Sequence, residues 1–195
     1  KHSVLDSMKK LKTEYLDLVL LHQPFGDYYG AYRALQELYK EGKIRAIGVS
    51  NFDPDRLIDL IEFNQVAPAV NQIETHLLCQ RRTEHEWMEK YHVRHMAYAP
   101  LGQGRKNEMF ENPALVEIAR AHGKTSAQVA LRFLMQSGVV VIPKSVHKGH
   151  IKENFDIFDF ELTADEMAQL VKMDTAVPMI GNPENPAVVE VAMKW

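Results

Sequence analysis

Five short apolar runs punctuate this chain, and each stops at or beside a polar or aromatic group. They are Leu16–His22, Ile44–Ser50, Ala69–Glu74, Val93–Ala99 and Val139–Pro143. A short, nearly continuous apolar run reads as a strand covered on both faces, as in a parallel sheet packed between helices. The segments between the runs carry helical period. Tyr32, Leu35, Leu38 and Tyr39 fall on one face of a helix. Asp53-Pro54-Asp55 reads as an N-cap with proline at the first helical position, ahead of Leu57, Ile58 and Ile61. Further helices are expected over Val4–Lys12, Pro113–His122 and Ser126–Gln136, and a last one opens at Thr163-Ala164-Asp165-Glu166. Strand alternating with helix implies βαβ units and a parallel sheet.

The first four strands begin roughly 25 residues apart, which suits a (β/α) barrel and would equally suit a doubly wound sheet. No GxGxxG follows any strand, so the second class lacks its phosphate-binding fingerprint. An eight-stranded barrel occupies roughly 250 residues, so a 195-residue chain with five strands reads as α/β, about the last five βα units of a (β/α)8 TIM barrel. On that reading the strand at Leu16–Leu21 lacks a parallel neighbour on one side. No linker-like composition interrupts residues 1–195, so a single domain without an internal boundary is expected.

The charge balance, 23 basic against 26 acidic residues, offers no surface for nucleic acid or an anionic membrane. No apolar stretch approaches the ~18–20 residues of a membrane span. Cys79 is the only cysteine, so an intramolecular disulfide is excluded, which fits a cytoplasmic protein. His92-x2-His95 and His147-x2-His150 have short spacings, but no carboxylate or cysteine cluster joins them, and no metal site is expected.

In α/β barrels the chemistry sits at the C-terminal ends of the strands. Here those ends read His22-Gln23-Pro24, Ser50-Asn51-Phe52, Gln72 with Glu74, Tyr98-Ala99-Pro100-Leu101-Gly102 and Pro143-Lys144-Ser145. Gly102-Gln103-Gly104 allows close backbone approach, and Lys144-Ser145 precedes a short helix whose first amides are free, both suited to phosphate. Glu74 reads either as catalytic or as a structural partner for a buried cation. Phe25, Tyr28 and Tyr29 read either as a lid over a substrate or as packing at a helix start.

GKIRAIGVSNF (Gly42–Phe52), PAVNQIE (Pro68–Glu74), AYAPLGQG (Ala97–Gly104) and IPKSV with IKENFDIFDFEL (Ile142–Val146, Ile151–Leu162) together resemble the aldo-keto reductase family. The short loop between His22 and Ala31 is similar to that of bacterial members, including the 2,5-diketo-gluconate reductases. The resemblance implies a (β/α)8 barrel that binds NADPH and reduces a small aldehyde, ketone or keto-sugar to an alcohol by hydride transfer. It implies that His22 is the catalytic histidine, that Ser50, Asn51 and Gln72 hold the nicotinamide carboxamide, and that Tyr98 stacks on the ring. Pro100, Leu101 and Gln103 fall on the loop along the pyrophosphate. Lys144, Ser145 and Val146 match the 2′-phosphate pocket, and Glu153 with Asn154 match the adenine contacts. The family's catalytic aspartate, tyrosine and lysine are expected ahead of His22, outside this sequence, so the 195 residues alone are expected to be inactive.

Three positions depart from the family pattern. His150 stands where an arginine usually closes on the 2′-phosphate, which admits NADH as a second cofactor. Gln23 replaces a frequent tryptophan of the substrate pocket, and Ala99 a frequent serine. The full-length protein is expected to be a monomer whose partner is its small carbonyl substrate. The alternatives are a non-catalytic NADPH-binding module and an inactive truncated fragment that associates through its strand edges.

Overall fold

The computed structural model describes residues 1–103, 106–180 and 185–193. Among these, the elements run α1 (His2–Leu11), β1 (Val19–Leu21), α2 (Tyr28–Lys40), β2 (Ile47–Ser50), α3 (Pro54–Glu62), β3 (Val70–Glu74), α4 (Arg82–Lys90) and β4 (Arg94–Tyr98). They continue with α5 (Lys106–Phe110), α6 (Pro113–Ala121), α7 (Ser126–Gln136), β5 (Val140–Val141), α8 (Lys148–Phe155), α9 (Ala164–Val171) and α10 (Pro186–Ala192). Each expected strand is present, in the sheet order β1-β2-β3-β4-β5. β1 pairs parallel with β2, β2 with β3, and β4 with β5. β1 is terminal in that order, as the strand count required. Among the described residues no helix is long and apolar enough to cross a membrane.

The strands are shorter than the apolar runs that announce them. Leu16 still meets Ile44 in a lone parallel bridge, but Asp17 turns to pair with Arg45 at 3.0 Å and regular pairing resumes only at Val19. At the other end Pro143 brings no N–H, and the ladder of β5 stops before it.

Contacts along the chain gather into two compact units. The first comprises Lys1–Gln72, Glu84–Arg94 and, among the described residues, 185–193. Its strands approach closely at Gly48, where a Cβ would lie 2.4 Å from Leu20 Cδ2 and 2.6 Å from Val70 Cγ2. Glycine is therefore a packing requirement of β2. Asp27 caps α2 by accepting from the Gly30 amide at 2.8 Å. The helix buries Tyr32, Leu35 and Leu38, each worth about 1.5–3 kcal/mol if fully removed from water. Gln36 of the same helix accepts from the amides of Gln65 and Val66 at 3.0 Å each and donates to Asn64 at 2.8 Å. That clasp fixes the segment leading into β3.

The second unit comprises Ile73–Thr83 and the described residues from His95 to Ile180. Its core is built from Leu77, Ala97, Met109, Leu115, Val129, Phe133, Leu134, Leu162 and Leu170, all buried. Both α7 and α9 begin with a reciprocal capping box, Thr125 with Gln128 and Thr163 with Glu166. Gln128 also donates to the Asp156 carbonyl at 2.7 Å, which ties the end of α8 to the start of α7.

Candidate functional site

In the first unit, three strand ends deliver four of the expected site residues into one hydrogen-bond network. The Ser50 hydroxyl and the Asn51 amide both donate to the Gln72 carbonyl, at 2.7 and 3.0 Å. Asn51 Nδ2 donates to the His22 carbonyl and to Ser50 Oγ, both at 3.2 Å. The geometry depends on a left-handed backbone at Asn51, φ +62°, a conformation asparagine tolerates better than most L-residues. Ser50 and Asn51 are buried, Gln72 is half-buried, and His22, directly after β1, is exposed. The backbone of these strand ends is thus locked while the imidazole stays accessible.

The aromatic residues after His22 divide differently. Tyr28 and Tyr29 open α2 with ring centres 4.7 Å apart, and Tyr28 meets Phe52 edge-on at 5.6 Å. The Tyr29 hydroxyl bonds the Asp59 carboxylate, and Arg56 donates to the Tyr28 hydroxyl at 3.4 Å. Both tyrosines therefore pack on α3 as helix-start residues. Phe25 is half-buried ahead of them.

In the second unit β4 ends at Tyr98, whose phenol is pushed up to about 12 by burial and then by the Glu74 charge. A left-handed Ala99 (φ +50°) and Gly102 (φ +63°) follow, closed by a 2.9 Å bond from the Gly102 amide to the Ala99 carbonyl. This turn walls a cavity of about 780 Å³ that Pro100, Leu101 and Gln103 line together with Lys144, Ser145, His150, Glu153 and Asn154. Val146 is not among the lining residues and is 74% exposed. Gly104 lies outside the described residues.

Phe110, Thr125, Ser126 and Ile142 also line the cavity. The sequence marks the helix that starts at Ser126, but nothing in it says which wall that start faces. The Ser145 hydroxyl accepts from the His147 amide at 3.1 Å, and the His147 and His150 rings meet edge-on at 5.4 Å. An ammonium, a hydroxyl and an imidazole beside the first turn of α8 suit a phosphate monoester. The apolar Pro100, Leu101 and Phe110 suit a flat ring or the carbon face of a sugar.

Glu74 has partners other than a buried cation. Its Oε1 accepts from His76 Nε2 at 3.1 Å and from the Met179 amide at 2.5 Å, and its Oε2 from the Ile180 amide at 3.0 Å. Burial pushes its carboxyl up, but His76 and the two amides outweigh that and hold it below its ordinary value. Of the closely spaced histidines, His95 is buried with Nε2 2.7 Å from Thr75 Oγ1, a structural pairing. Among the described residues, no three His, Cys, Asp or Glu side chains gather where they could hold a metal ion.

A sequence model of the aldo/keto reductase family matches residues 1–175. The chain is 42% identical over 180 residues to 9,11-endoperoxide prostaglandin H2 reductase of Trypanosoma cruzi, spanning 92% of this chain and 64% of that protein. It is 42% identical over 177 residues to methylglyoxal reductase DkgA of Escherichia coli K12, spanning 89% of this chain and 64% of that protein. This chain thus spans 64% of the length of either relative. An aldo-keto reductase from a Medee basin deep-sea metagenome library superposes with a TM-score of 0.91 at 38% identity, over 94% of this chain and 68% of its own. An aldo-keto reductase of the silkworm Bombyx mori, complexed with NADPH, superposes at 0.87 and 34% identity, over 92% of this chain and 60% of its own. The expected α/β fold of (β/α)8 type, with five βα units in this chain, agrees with these matches.

Proposed function

The chain belongs to the aldo/keto reductase family, and on that premise we propose that it carries the cofactor-binding portion and the histidine of an NADPH-dependent carbonyl reductase. The observation that carries this reading is the cavity of the second unit. Seven residues that the family resemblance assigns to the pyrophosphate, 2′-phosphate and adenine line it together, and so does His150, which stands where the family pattern has an arginine. The cofactor, when bound, supplies the hydride.

Each residue then has a physical task. Lys144 and Ser145 would hold the 2′-phosphate by two charge-assisted hydrogen bonds, the first from an ammonium and the second from a hydroxyl to the anionic oxygens. Glu153 and Asn154 would meet the adenine edge, and Pro100, Leu101 and Gln103 would line the pyrophosphate. In the first unit Ser50, Asn51 and Gln72 hold the carboxamide, and His22 donates to the carbonyl oxygen of the substrate where negative charge develops. In the second unit Tyr98 would offer an aromatic face to the nicotinamide. The substrate class is a small aldehyde or ketone, methylglyoxal or a keto-sugar among them, and the working compartment is the cytoplasm.

A proton must also reach the new alcohol. The family's tyrosine, with the lysine and aspartate that tune it, is expected on strands ahead of His22, so these 195 residues bind cofactor without turning over. Two measurements on the purified chain test this. Calorimetric titration with NADPH is expected to show one site per chain, and NADPH oxidation with methylglyoxal is expected to stay at the uncatalysed rate. No binding would overturn the cofactor reading; robust turnover would overturn the missing-donor reading.

A further inference from the structure

Glu74 is buried, charged and fully partnered, yet none of the roles above uses it. Its partners are unusual in kind. Besides His76 at 3.1 Å, the carboxylate takes two consecutive main-chain amides, those of Met179 and Ile180, from a segment more than a hundred residues later in the chain. The start of that segment is tied down separately. Gln80 donates its amide to Asp174 Oδ1 at 3.1 Å, and the Thr175 amide and hydroxyl both donate to the Leu78 carbonyl, at 2.9 and 2.7 Å. Glu74 fastens the far end, so Met179 has a defined place. That place is against the cofactor-loop turn: a methyl added to Gly102 would stand 3.6 Å from Met109 Sδ and 4.0 Å from Met179 Sδ.

We propose that Glu74 is a positioning residue, which by clasping the Met179–Ile180 main chain seats the Met179 side chain against Gly102 and so fixes the Ala99–Gln103 wall of the phosphate cavity. The proposal rests on the cofactor reading above. A carboxylate suits the task because it accepts several hydrogen bonds at once, each stronger for its charge. A buried anchor is also insulated from salt and competing water. The turn it steadies needs steadying: Ala99 is an L-residue held at φ +50°, a conformation that left alone relaxes to the right-handed or extended regions.

The test compares the 195-residue chain with its Glu74→Gln and Met179→Ala variants by two measurements. One is amide hydrogen exchange at Met179, Ile180 and Gly102, with the buried α7 amides of Val129 and Phe133 as the internal standard of global stability. The other is the affinity for adenosine 2′,5′-bisphosphate by titration calorimetry. Glutamine keeps the shape but loses the charge and presents an N–H pair toward amide donors. In Glu74→Gln, exchange at Met179 and Ile180 is expected to rise roughly tenfold, the scale of one charged hydrogen bond lost, with the α7 amides unchanged. Affinity for the bisphosphate should fall about threefold to tenfold in both variants.

Unchanged affinity in either variant overturns the proposal, because the clasp would then hold only the tail. Equal acceleration of the α7 amides overturns it too, since Glu74 would be a general stability residue. If Glu74→Gln does not fold, Met179→Ala alone decides, as it leaves the main-chain clasp in place and removes only the side chain that lies beside Gly102 together with Met109. Failure of the wild-type chain to bind the bisphosphate overturns the cofactor reading itself, an outcome distinct from wild-type binding with unaffected variants.

Discussion

The strand-end cluster of the first unit and the cavity of the second present polar groups in opposite ways. In the cluster, the donors of Ser50 and Asn51 serve the carbonyls of Gln72 and His22 as well as each other. In the cavity, Lys144, His150 and Gln103 are exposed and Ser145, Glu153 and Asn154 half-buried. In the first arrangement the bonds that gather the candidate residues also hold the strand ends. Substitutions should therefore cost stability in the first unit and affinity in the second.

The largest effect is expected where the cluster is set up, at Gly48. A Gly48→Ala side chain would drive into Leu20 and Val70, and overpacking of this kind costs about 1–3 kcal/mol. Urea denaturation reads it directly; a loss within error would mean that the strands spread easily and that the cluster is less rigid than its bonds imply. Asn51 comes next. Asn51→Ala removes two side-chain hydrogen bonds and places alanine at φ +62°, together about 1–2 kcal/mol. Asn51→Gly keeps the left-handed backbone and loses only the bonds, so the difference between the two variants apportions the loss. Equal stability of Asn51→Gly and the parent would show that the Asn51 side-chain bonds do not hold the strand ends together.

How much of this was legible in the sequence follows the same division. The strand ends were readable because apolar runs stop where pairing stops, and His22, Ser50, Asn51 and Gln72 each sit within a residue or two of that stop. The network among them was not, because it runs through main-chain carbonyls, which no side-chain pattern encodes. The Lys144-Ser145 side of the cavity is legible in the sequence, where a short strand feeds a helix start. The opposite wall, Thr125 and Ser126, was hidden because it belongs to a helix whose orientation is set by core packing of Val129 and Phe133. Glu74 stood out as a carboxylate in an apolar strand. Its partners at Met179 and Ile180 are long-range amides that composition cannot announce. Tyr28 and Tyr29 left two readings open until their contacts with Phe52 and Asp59 decided for packing.

In the cavity the expected signature reverses. Lys144 is exposed, so Lys144→Ala should leave stability within about 0.5 kcal/mol of the parent, as surface changes usually do. Its affinity for adenosine 2′,5′-bisphosphate should nonetheless fall roughly tenfold, the loss of one charged hydrogen bond. Affinity for adenosine 5′-monophosphate, which lacks the 2′-phosphate, should not move. Loss of both ligands alike would show that Lys144 shapes the cavity rather than reading the phosphate.

The smallest effect is expected at His150. The ring sits edge-on to His147 in the first turn of α8, exposed, beside Lys144 and Ser145. An imidazole offers one or two donors and full charge only when protonated, whereas a guanidinium is always charged and offers a planar fork that matches phosphate. His150→Arg should therefore raise the preference for NADPH over NADH about threefold, with the denaturation midpoint unchanged. His150→Lys adds charge without the fork. A gain from arginine alone assigns the effect to bidentate geometry, and equal gains assign it to charge. If neither variant changes the ratio, the 2′-phosphate is read entirely at Lys144 and Ser145, and the cavity, like the cluster, draws its selectivity from the end of a strand rather than from the helix that follows it.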